Sequence, residues 1–270
     1  MASHKLIKKR SLRPPSATSQ STASTHAPPP YDKDTRIRIN KFFTEQGACS
    51  RREADKLIED GRVAINGRVA VLGDRVGSHD VITKDGLVVP WGNAPLYIKF
   101  HKPVGVTTTS EPDVENNIIA SIGHPERIFP IGRLDKDSSG LILLTNDGDI
   151  VNRVLRAEYA HEKEYAVRVD RPFDQAFLED MAAGVVILGQ RTRPCRLSRV
   201  GPRDFRIILT EGRNRQIRRM CRALGYLVET LHRIRIMHIT IDGLRAGHWK
   251  YLTEQERTTL LDTVNAKKSN

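Results

Sequence analysis

The chain has 270 residues, of which 39% are hydrophobic and 28% are charged, a composition that supports a folded core and excludes global disorder. Lys and Arg number 44 against 32 Asp and Glu, so the formal net charge is +12. This charge favours a polyanionic partner, with nucleic acid ahead of an anionic membrane surface. No apolar run reaches the length of a transmembrane helix or resembles a signal-peptide core, so no membrane association is expected.

The three cysteines, Cys49, Cys195 and Cys221, are odd in number and lie far apart. Because they form no CxxC pair, the sequence supports neither a disulfide framework nor a zinc site. We therefore expect a protein of the reducing cytoplasm. The length favours two domains, or one large domain with a small module.

Residues 1–35 are predicted to form a disordered tail. The stretch from Ser11 to Pro30 is rich in Ser, Thr, Pro and Ala and has almost nothing apolar to bury. Basic residues precede its first acid, Asp32. A basic arm that contacts phosphate and a solvated leader remain equal interpretations. An organelle transit peptide ranks below both, because no amphipathic helical pattern is visible.

Residues 36–90 are predicted to form a compact module of two short helices followed by small strands. The sequence Ser50-Arg51-Arg52-Glu53 has the S-x-x-E spacing of a capping box, so a helix is expected to follow and to end at Gly61. The Asn66-Gly67 pair, flanked by short apolar runs, predicts a tight hairpin.

This module resembles the alpha-L RNA-binding domain of ribosomal proteins and tyrosyl-tRNA synthetases, through the run RINKFFTEQGACSRREADKLIEDGRVAINGRVA. In that family the second helix presents basic residues to an RNA backbone. The resemblance implies RNA contacts by Arg38, Lys41, Arg51, Arg52 and Lys56. The alternative for arginines on a helix is an ordinary solvated face.

A larger domain is expected at residues 91–255, after a turn-rich joint at residues 89–95, with a C-terminal tail at residues 256–270. Apolar patterns predict strands at residues 96–100, 140–144, 165–169 and 205–209. Helical spacing occurs at residues 147–155, 174–183 and 214–224. Strands and helices alternate without a regular βαβ repeat, which predicts an α+β fold.

The strongest chemical signal is GRLDKDSSGLILLTNDGD, residues 132–149, where a loop of small and acidic residues runs directly into an apolar strand. Such a strand fixes the loop beside it, which suits a catalytic carboxylate. The loop closely resembles the signature of the RsuA/RluB/RluE/RluF family of pseudouridine synthases. The resemblance implies that Asp135 is the catalytic residue and that Asp137 is not its equivalent.

Two further motifs of that family follow in the expected order. The sequence KEY, residues 163–165, supplies Tyr165, which in the family packs against the target base. The sequence EGRNRQIRRM, residues 211–220, supplies Arg218, the basic residue that would pair with Asp135, preceded by the apolar Ile217. Many relatives have histidine at the position of Arg215. The remaining residues expected to contact RNA in this motif are Arg213, Asn214, Arg215, Gln216 and Arg219.

The chemistry explains these residue types. Uridine must lose its N1–C1′ bond, turn within the site and rejoin through C5, so neither a cofactor nor a metal is expected. An ionised carboxylate is needed as nucleophile or as base at the sugar, and attack on the base or on the ribose both remain open. Tyr165 would offer a flat face to a flipped uracil. Arg133 would either enter the space left by the base, or instead contact phosphate or form an intramolecular salt bridge.

The resemblance extends from about residue 36 to residue 252 and implies a mixed, largely antiparallel sheet with a central cleft. The segments HEKEYAVRV, MAAGVVILG and RIRIMHITIDG are most like the RluF branch, which implies a uridine of large-subunit ribosomal RNA as the substrate. A tRNA or small-subunit ribosomal RNA remains an alternative substrate. We expect a monomer.

Arginine density gives separate support for an RNA partner. Residues 191–235 contain thirteen arginines, no lysine and three acids. Arginine makes planar, bidentate phosphate contacts and stacks on bases, so we predict that most of this run contacts RNA.

Two other functions are alternatives to the synthase. An aspartate-dependent glycosidic hydrolase would need a second carboxylate about 5–9.5 Å from the first, for which Asp137 or Asp147 could be nominated. A non-catalytic RNA-binding assembly factor would be expected to have lost Asp135, Tyr165 or Arg218. All three residues are present, which favours an active synthase.

Overall fold

The computed structural model describes residues 36–266, so the tail predicted at residues 1–35 lies outside the described residues. A small N-terminal module is followed by a larger domain that begins with the strand at Tyr97. None of the helices between residues 36 and 266 has the length and apolar character needed to cross a bilayer.

The N-terminal module combines two helices with short strands. Its elements are β1 (Ile37–Arg38), α1 (Ile39–Glu45), α2 (Arg51–Glu59), β2 (Val63–Ile65), β3 (Arg68–Val69), β4 (Arg75–Val76), β5 (Ile82–Lys84) and β6 (Leu87–Val88). Strands β3-β2-β5-β6 form a four-stranded sheet, and β1 pairs with β4. The module has its own apolar core, in which Phe42 and Phe43 are fully buried.

Local sequence signals determine this module. The predicted capping box of α2 is present, since the Glu53 amide donates to Ser50 Oγ at 3.2 Å and the Ser50 amide donates to Glu53 Oε2 at 2.6 Å. In the predicted hairpin, Asn66 (φ 51°) and Gly67 (φ 84°) both adopt left-handed backbone conformations. Tight two-residue hairpin turns of this kind require positive φ at both positions.

The larger domain is built around one extended sheet. Its elements are β7 (Tyr97–Lys102), α3 (Ile118–Ile122), β8 (Phe129–Ile131), β9 (Ser139–Thr145), α4 (Gly148–Leu155), β10 (Lys163–Val169), α5 (Gln175–Ala183), β11 (Val186–Ile187), β12 (Gln190–Arg191), β13 (Arg196–Arg199), β14 (Asp204–Leu209), α6 (Gln216–Ala223), β15 (Val228–Ile236), β16 (Ile239–Thr240), β17 (Trp249–Tyr251) and α7 (Glu254–Ala266). The predicted strands and helices agree with these bounds, and the α+β fold class is confirmed.

Nine strands form the sheet, in the order β13-β14-β10-β15-β9-β7-β17, with β8 beside β9 and β16 beside β15. Every pairing in it is antiparallel except that of β9 with β15, which joins only Ser139 to His232 and Gly140 to Arg233. One apolar core contains residues of β10 and β14, a second contains residues of β7 and β9, and a third contains residues of both β9 and β15. The mixed, largely antiparallel sheet expected from the sequence is therefore confirmed, and at its central seam β9 and β15 are joined by only two residue pairs.

The C-terminus differs from the predicted tail. Residues up to Ala266 form α7, whose Leu260 and Val264 are buried against the core that also contains residues of β9. The helix starts with a capping box of its own, since the Thr253 amide donates to Glu256 Oε2 at 2.9 Å and the Glu256 amide donates to Thr253 Oγ1 at 3.2 Å. The larger domain consequently extends to Ala266.

Candidate active site

The loop between β8 and β9 is fixed on both sides of Asp135. Next to it, Leu134 is buried, and its carbonyl accepts a 2.7 Å hydrogen bond from the Thr108 hydroxyl, which itself accepts from the Leu134 amide at 3.3 Å. On the other side, the Gly105 amide donates to the Lys136 carbonyl at 2.8 Å. The Asp135 side chain is 33% exposed. The carboxylate is therefore held at the entrance to a buried strand while it remains accessible.

Asp135 borders a cavity of about 530 Å³ at the central seam of the sheet. Tyr165 of β10 and Ile217 of α6 line the same cavity. A volume of this size suits a small ligand or a single flipped nucleotide. The predicted RNA-contacting residues that also line the cavity are Arg133, Arg213, Asn214, Arg215 and Gln216. The fold thus brings together three motifs that are far apart in the sequence.

The cation nearest to Asp135 is Arg215. Its Nη1 lies 3.5 Å from Asp135 Oδ2. The same guanidinium donates to both carboxylate oxygens of Asp137, at 3.0 Å and 2.8 Å. Arg215 directly precedes α6 and has a φ of 50°, a left-handed conformation that is uncommon for a residue with a side chain. Surrounding contacts must hold it there, as is typical of functional sites.

The predicted contact between Arg218 and Asp135 is not formed in the part of the chain that the structure describes. Arg218 instead donates from Nη2 to the Asp137 carbonyl at 2.9 Å and from Nη1 to the Val228 carbonyl at 3.0 Å. Its Nε lies 3.4 Å from the Asp137 carboxylate. Arg218 therefore stabilises the loop that carries Asp135 through its contacts with Asp137. Arg215 and Arg218 lie three residues apart at the start of a helix and face the same side, so spacing alone did not decide which one reaches Asp135.

Neither acid nominated for a hydrolase suits that role. The hydrogen bonds from Arg215 and the charge of Arg218 lower the pKa of Asp137, although partial burial opposes them. Arg215 donates to both oxygens of Asp137, so this carboxylate is committed to an ion pair rather than free to activate a water. Asp147 caps α4 and accepts a 2.8 Å hydrogen bond from the Tyr97 hydroxyl, so it is already committed to the fold.

Glu211 is a structural residue of the third motif that the sequence analysis did not identify. It is 8% exposed, and its carboxylate accepts from the Arg193 amide at 3.0 Å and from Gln216 Nε2 at 2.9 Å, and lies 3.3 Å from Arg213 Nε. Gln216 also accepts from the Arg213 amide at 3.0 Å. The polar groups of Arg213 and Gln216, predicted to contact RNA, therefore hold this motif in shape. An acid within a basic motif was the available signal.

The remaining residues predicted to contact RNA in the larger domain differ in their contacts. Arg219 donates to the carbonyl and side-chain oxygens of Asn214, both at 3.0 Å. Arg133 has no ion pair with any residue between 36 and 266. Arg133 is thus a cation of the signature loop that is free to contact a phosphate.

The arginine run at residues 191–235 is not mainly a free basic surface. Ion pairs with acids are formed by Arg196, Arg203, Arg206, Arg213, Arg215, Arg218 and Arg235. Two of the acids, Glu162 and Glu164, belong to or adjoin β10 and reach these arginines through the sheet register. Seven of the thirteen arginines therefore have acid partners, some inside the run and others outside it, and RNA contact by most of the run stays a prediction.

The basic residues of the module fall into two groups. The exposed side chains of Arg38, Arg51, Arg52 and Lys56 have no ion pair within the described chain. The ammonium of Lys41, by contrast, donates to Asp149 of α4 at 2.5 Å and lies 3.4 Å from Glu45. Lys41 thus connects the module to the larger domain, and this pairing competes with its predicted RNA contact.

Comparison with known proteins identifies both units. A family model described as RNA pseudouridylate synthase matches residues 96–223, and an S4 domain model matches residues 37–82. A crystal structure of a pseudouridylate synthase superimposes with a TM-score of 0.61 at 28% identity, covering 83% of this chain and 99% of that one. The S4 match coincides with the module that the sequence analysis compared with alpha-L domains.

Curated relatives cover most of the chain. The dual-specificity RNA pseudouridine synthase RluF of Salmonella typhi is 48% identical over 238 residues, which span 87% of this chain and 82% of that protein. The RluF of Escherichia coli K12 is 46% identical with the same coverage. The ribosomal large subunit pseudouridine synthase B of Bacillus subtilis is 36% identical over 228 residues, which span 81% of this chain and 93% of that protein. The chain therefore belongs to the RsuA/RluB/RluE/RluF family of RNA pseudouridine synthases, isomerases that convert uridine in RNA to pseudouridine, with an S4 domain at its N-terminus.

Proposed function

We propose that this enzyme isomerises a specific uridine of large-subunit (23S) ribosomal RNA, as a monomer in the cytoplasm, with Asp135 as the catalytic residue. The observation that carries the proposal is the Asp135 carboxylate, fixed by its loop on the wall of a cavity large enough for one nucleotide. The relative from Bacillus subtilis is named for the large ribosomal subunit. The RluF relatives are named dual-specificity enzymes, which supports a second RNA class, such as tRNA, as a further substrate.

In the proposed reaction the target base leaves its stack and enters the cavity. The Asp135 carboxylate attacks C1′ of the ribose or C6 of the base, and the N1–C1′ bond breaks. C5 then bonds to C1′, the carboxylate is released, the proton on C5 is lost and N1 gains a proton. Tyr165 supplies a flat face for the base, and the buried Ile217 supplies an apolar contact. Arg215, 3.5 Å from Asp135, offsets the negative charge of this carboxylate at the cavity wall.

RNA is held at a distance from the cavity by the S4 domain. The exposed Arg38, Arg51, Arg52 and Lys56 lack acid partners in the described chain, so phosphates of the RNA would supply their counterions. Arg133, at the cavity itself, either fills the space that the flipped base leaves or binds an adjacent phosphate. These contacts orient the substrate, while sequence recognition depends on the shape of the RNA around the target.

The test is to map pseudouridine after incubation of the enzyme with unmodified large-subunit ribosomal RNA, small-subunit ribosomal RNA and bulk tRNA. We expect one strong site in the large-subunit RNA, which Asp135→Asn does not modify. Modification confined to the small-subunit RNA or to tRNA would contradict the proposed substrate. Absence of modification in all three RNAs would contradict the proposed activity.

A further inference from the structure

Arg233 of β15 lines the cavity and has no part in the reaction described above. Its residue exposure is 3%, and its Nε donates to the Leu141 carbonyl at 2.7 Å. Its Nη2 has no hydrogen-bond partner among residues 36–266, and no acid in that range forms an ion pair with it. A buried cation without an acid partner is strongly unfavourable unless a ligand supplies the missing charge. The buried charge of Arg233 therefore indicates that an anionic group binds in the cavity.

A β-bulge directs Arg233 into the cavity. In the register of β10 with β15, Glu164 lies opposite Arg235 and Tyr165 lies opposite Arg233, so Ile234 is an extra residue between the two pairs. Residues two apart normally lie on the same face of a strand. The bulge instead leaves Arg235 on the outer face with Glu164 and turns Arg233 to the cavity face with Tyr165.

The backbone of Arg233 is fixed by its neighbour Gly140 on β9. A Cβ atom at residue 140 would lie 2.3 Å from the Arg233 carbonyl oxygen and 2.5 Å from its amide nitrogen, so only glycine permits this approach. Gly140 also has a φ of 113°, which side-chain-bearing residues rarely adopt. The fold therefore holds this arginine in place through its backbone, without an acid partner.

Lys163 is a second cation on the same face, two residues before Tyr165 on β10, and it also lines the cavity. Its Nζ donates to the His161 carbonyl at 3.3 Å. Burial, with a further contribution from the charge of Arg233, lowers the pKa of Lys163 to about 8. The other charged residues that line the cavity are Arg133, Asp135, Glu211, Arg213 and Arg215. Of the two acids in that set, Asp135 has Arg215 as its partner and Glu211 has Arg213. The residues that line the cavity therefore carry an excess of positive charge.

We propose that Arg233 and Lys163 bind the ring oxygens of the target uracil and stabilise the negative charge that the ring carries during the reaction. The inference rests on the proposed function. If Asp135 attacks C1′, the electron pair of the N1–C1′ bond stays with uracil and is delocalised over N1, O2 and O4. If Asp135 adds to C6, the π electron pair of the C5–C6 double bond moves through C4 to O4, and the bond between the carboxylate and C6 breaks again when the isomer is released. On the C1′ route, C5 then displaces the carboxylate from C1′, the proton on C5 is lost and N1 gains a proton, so the net change is an isomerisation.

The first test measures binding of free bases by the full-length protein and needs no turnover. The probes are 5-nitrouracil, whose nitro group makes the ring an anion at neutral pH, and uracil, which is neutral there. Wild type is expected to bind 5-nitrouracil about tenfold more tightly than uracil. Arg233→Met and Lys163→Met are expected to remove this preference, while Arg168→Met, on the exposed outer face of β10, keeps it. No preference in wild type, or an undiminished preference in both cavity variants, would overturn the inference.

The second test compares single-turnover rates for consumption of the target nucleoside in RNA that carries uridine or 5-fluorouridine there. Because fluorine on C5 cannot leave as the proton does, consumption of the starting nucleoside is followed rather than formation of pseudouridine. Arg233→Met is expected to slow the uridine reaction about 100-fold while RNA affinity stays within about twofold. Fluorine withdraws electrons and stabilises the ring anion, so the loss on 5-fluorouridine is expected to be severalfold smaller. An equal loss on both substrates would indicate a structural role, and reduced affinity with a weaker salt dependence would indicate a phosphate contact. Either result overturns the inference. If wild type acts on neither substrate, the proposed function is wrong, and base binding alone decides the inference.

The proposed role of Lys163 also predicts how the reaction rate depends on pH. The ammonium is present below its pKa of about 8 and is lost above it, so the rate of wild type is expected to fall as the pH rises through about 8. Lys163→Arg keeps the charge and is expected to move this fall to higher pH, whereas Arg168→Met leaves the profile unchanged. A decline that is the same in Lys163→Arg and wild type would exclude Lys163 from charge stabilisation.

Discussion

The two faces of β10 and β15 use the same residue types in opposite ways. On the outer face, Glu164 pairs with Arg235 at 2.9 Å and with Arg206 at 3.4 Å. On the cavity face, Lys163 and Arg233 line the site without forming an ion pair with any described residue. Strand register, rather than composition, decides which cations meet an acid. On these strands, the arginines that form ion pairs with acids stabilise the fold, whereas the cations without an acid partner are available to bind an anionic ligand.

The S4 domain follows the same rule on a helix. Its α2 exposes Arg51, Arg52 and Lys56, and the acid of its first turn, Glu53, is committed to the capping box. These cations therefore resemble those of the cavity face, although they lie in water. We expect them to bind phosphates with a strong salt dependence, as exposed charges do.

The substitution with the largest expected effect on stability lies at the central seam, where β9 meets β15. Gly140→Ala places a Cβ against the backbone of Arg233 and is expected to lower the free energy of unfolding by about 3 kcal/mol or more. Urea denaturation measures this change. Gly212→Ala, where an added Cβ meets no atom within 4 Å, is the matched control and should change the free energy by less than about 0.5 kcal/mol. Equal stability of the two variants would contradict the close approach of β9 to β15.

The next largest effect is expected on the reaction rate when Arg215, beside Asp135, is replaced. Arg215→Ala removes the guanidinium 3.5 Å from that carboxylate and is expected to slow single turnover about 100-fold, with little change in Tm. Arg218→Ala should also lower Tm, because the 13% exposed side chain donates to two backbone carbonyls. A nearly normal rate in Arg215→Ala with an inactive Arg218→Ala would restore the pairing predicted from the sequence.

Much of the fold could be predicted because its signals are local. The capping box at Ser50, the Asn66-Gly67 hairpin and the apolar strand after Asp135 each depend on a few consecutive residues. The helix α7 also carried local signals, the Thr253–Glu256 capping box and the spacing of Leu260 with Val264, which the assignment of a tail overlooked.

The features that could not be predicted depend on contacts between distant segments. The bulge at Ile234 exists only when β15 pairs with β10, so the sequence HRIRI gave no indication that Arg233 and Arg235 face opposite sides. Arg215 and Arg218 share a helix face, and only the position of the loop selects Arg215 for Asp135. The acid partners of the arginine run could not be predicted for the same reason, since Glu162 and Glu164 neutralise part of it from another strand.

A smaller effect, on RNA binding rather than on the rate, is expected from substitutions in the S4 domain. Replacing Arg51, Arg52 and Lys56 together by alanine should weaken RNA binding and reduce the slope of log K against log salt by about 2, because about three phosphate contacts are lost. The rate at saturating RNA should stay unchanged, since these residues lie outside the cavity. A changed rate with an unchanged salt slope would show that α2 does not bind phosphate.

The smallest effect is expected on the outer face. Arg206→Ala removes a half-exposed ion pair with Glu164 and should change the free energy of unfolding by less than about 0.5 kcal/mol. RNA affinity, measured by filter binding, should stay within about twofold of wild type. A large loss of affinity would mean that the paired arginines of this face also contact RNA, and the contrast between the two faces would fail.

The most direct test of the central claim is release of tritium from uridine labelled at C5 in unmodified large-subunit ribosomal RNA, by wild type and by Asp135→Asn. We predict release by wild type alone, with RNA affinity nearly equal in the two proteins because no phosphate contact is removed. Equal release by both proteins would contradict the assignment of the chemistry to Asp135.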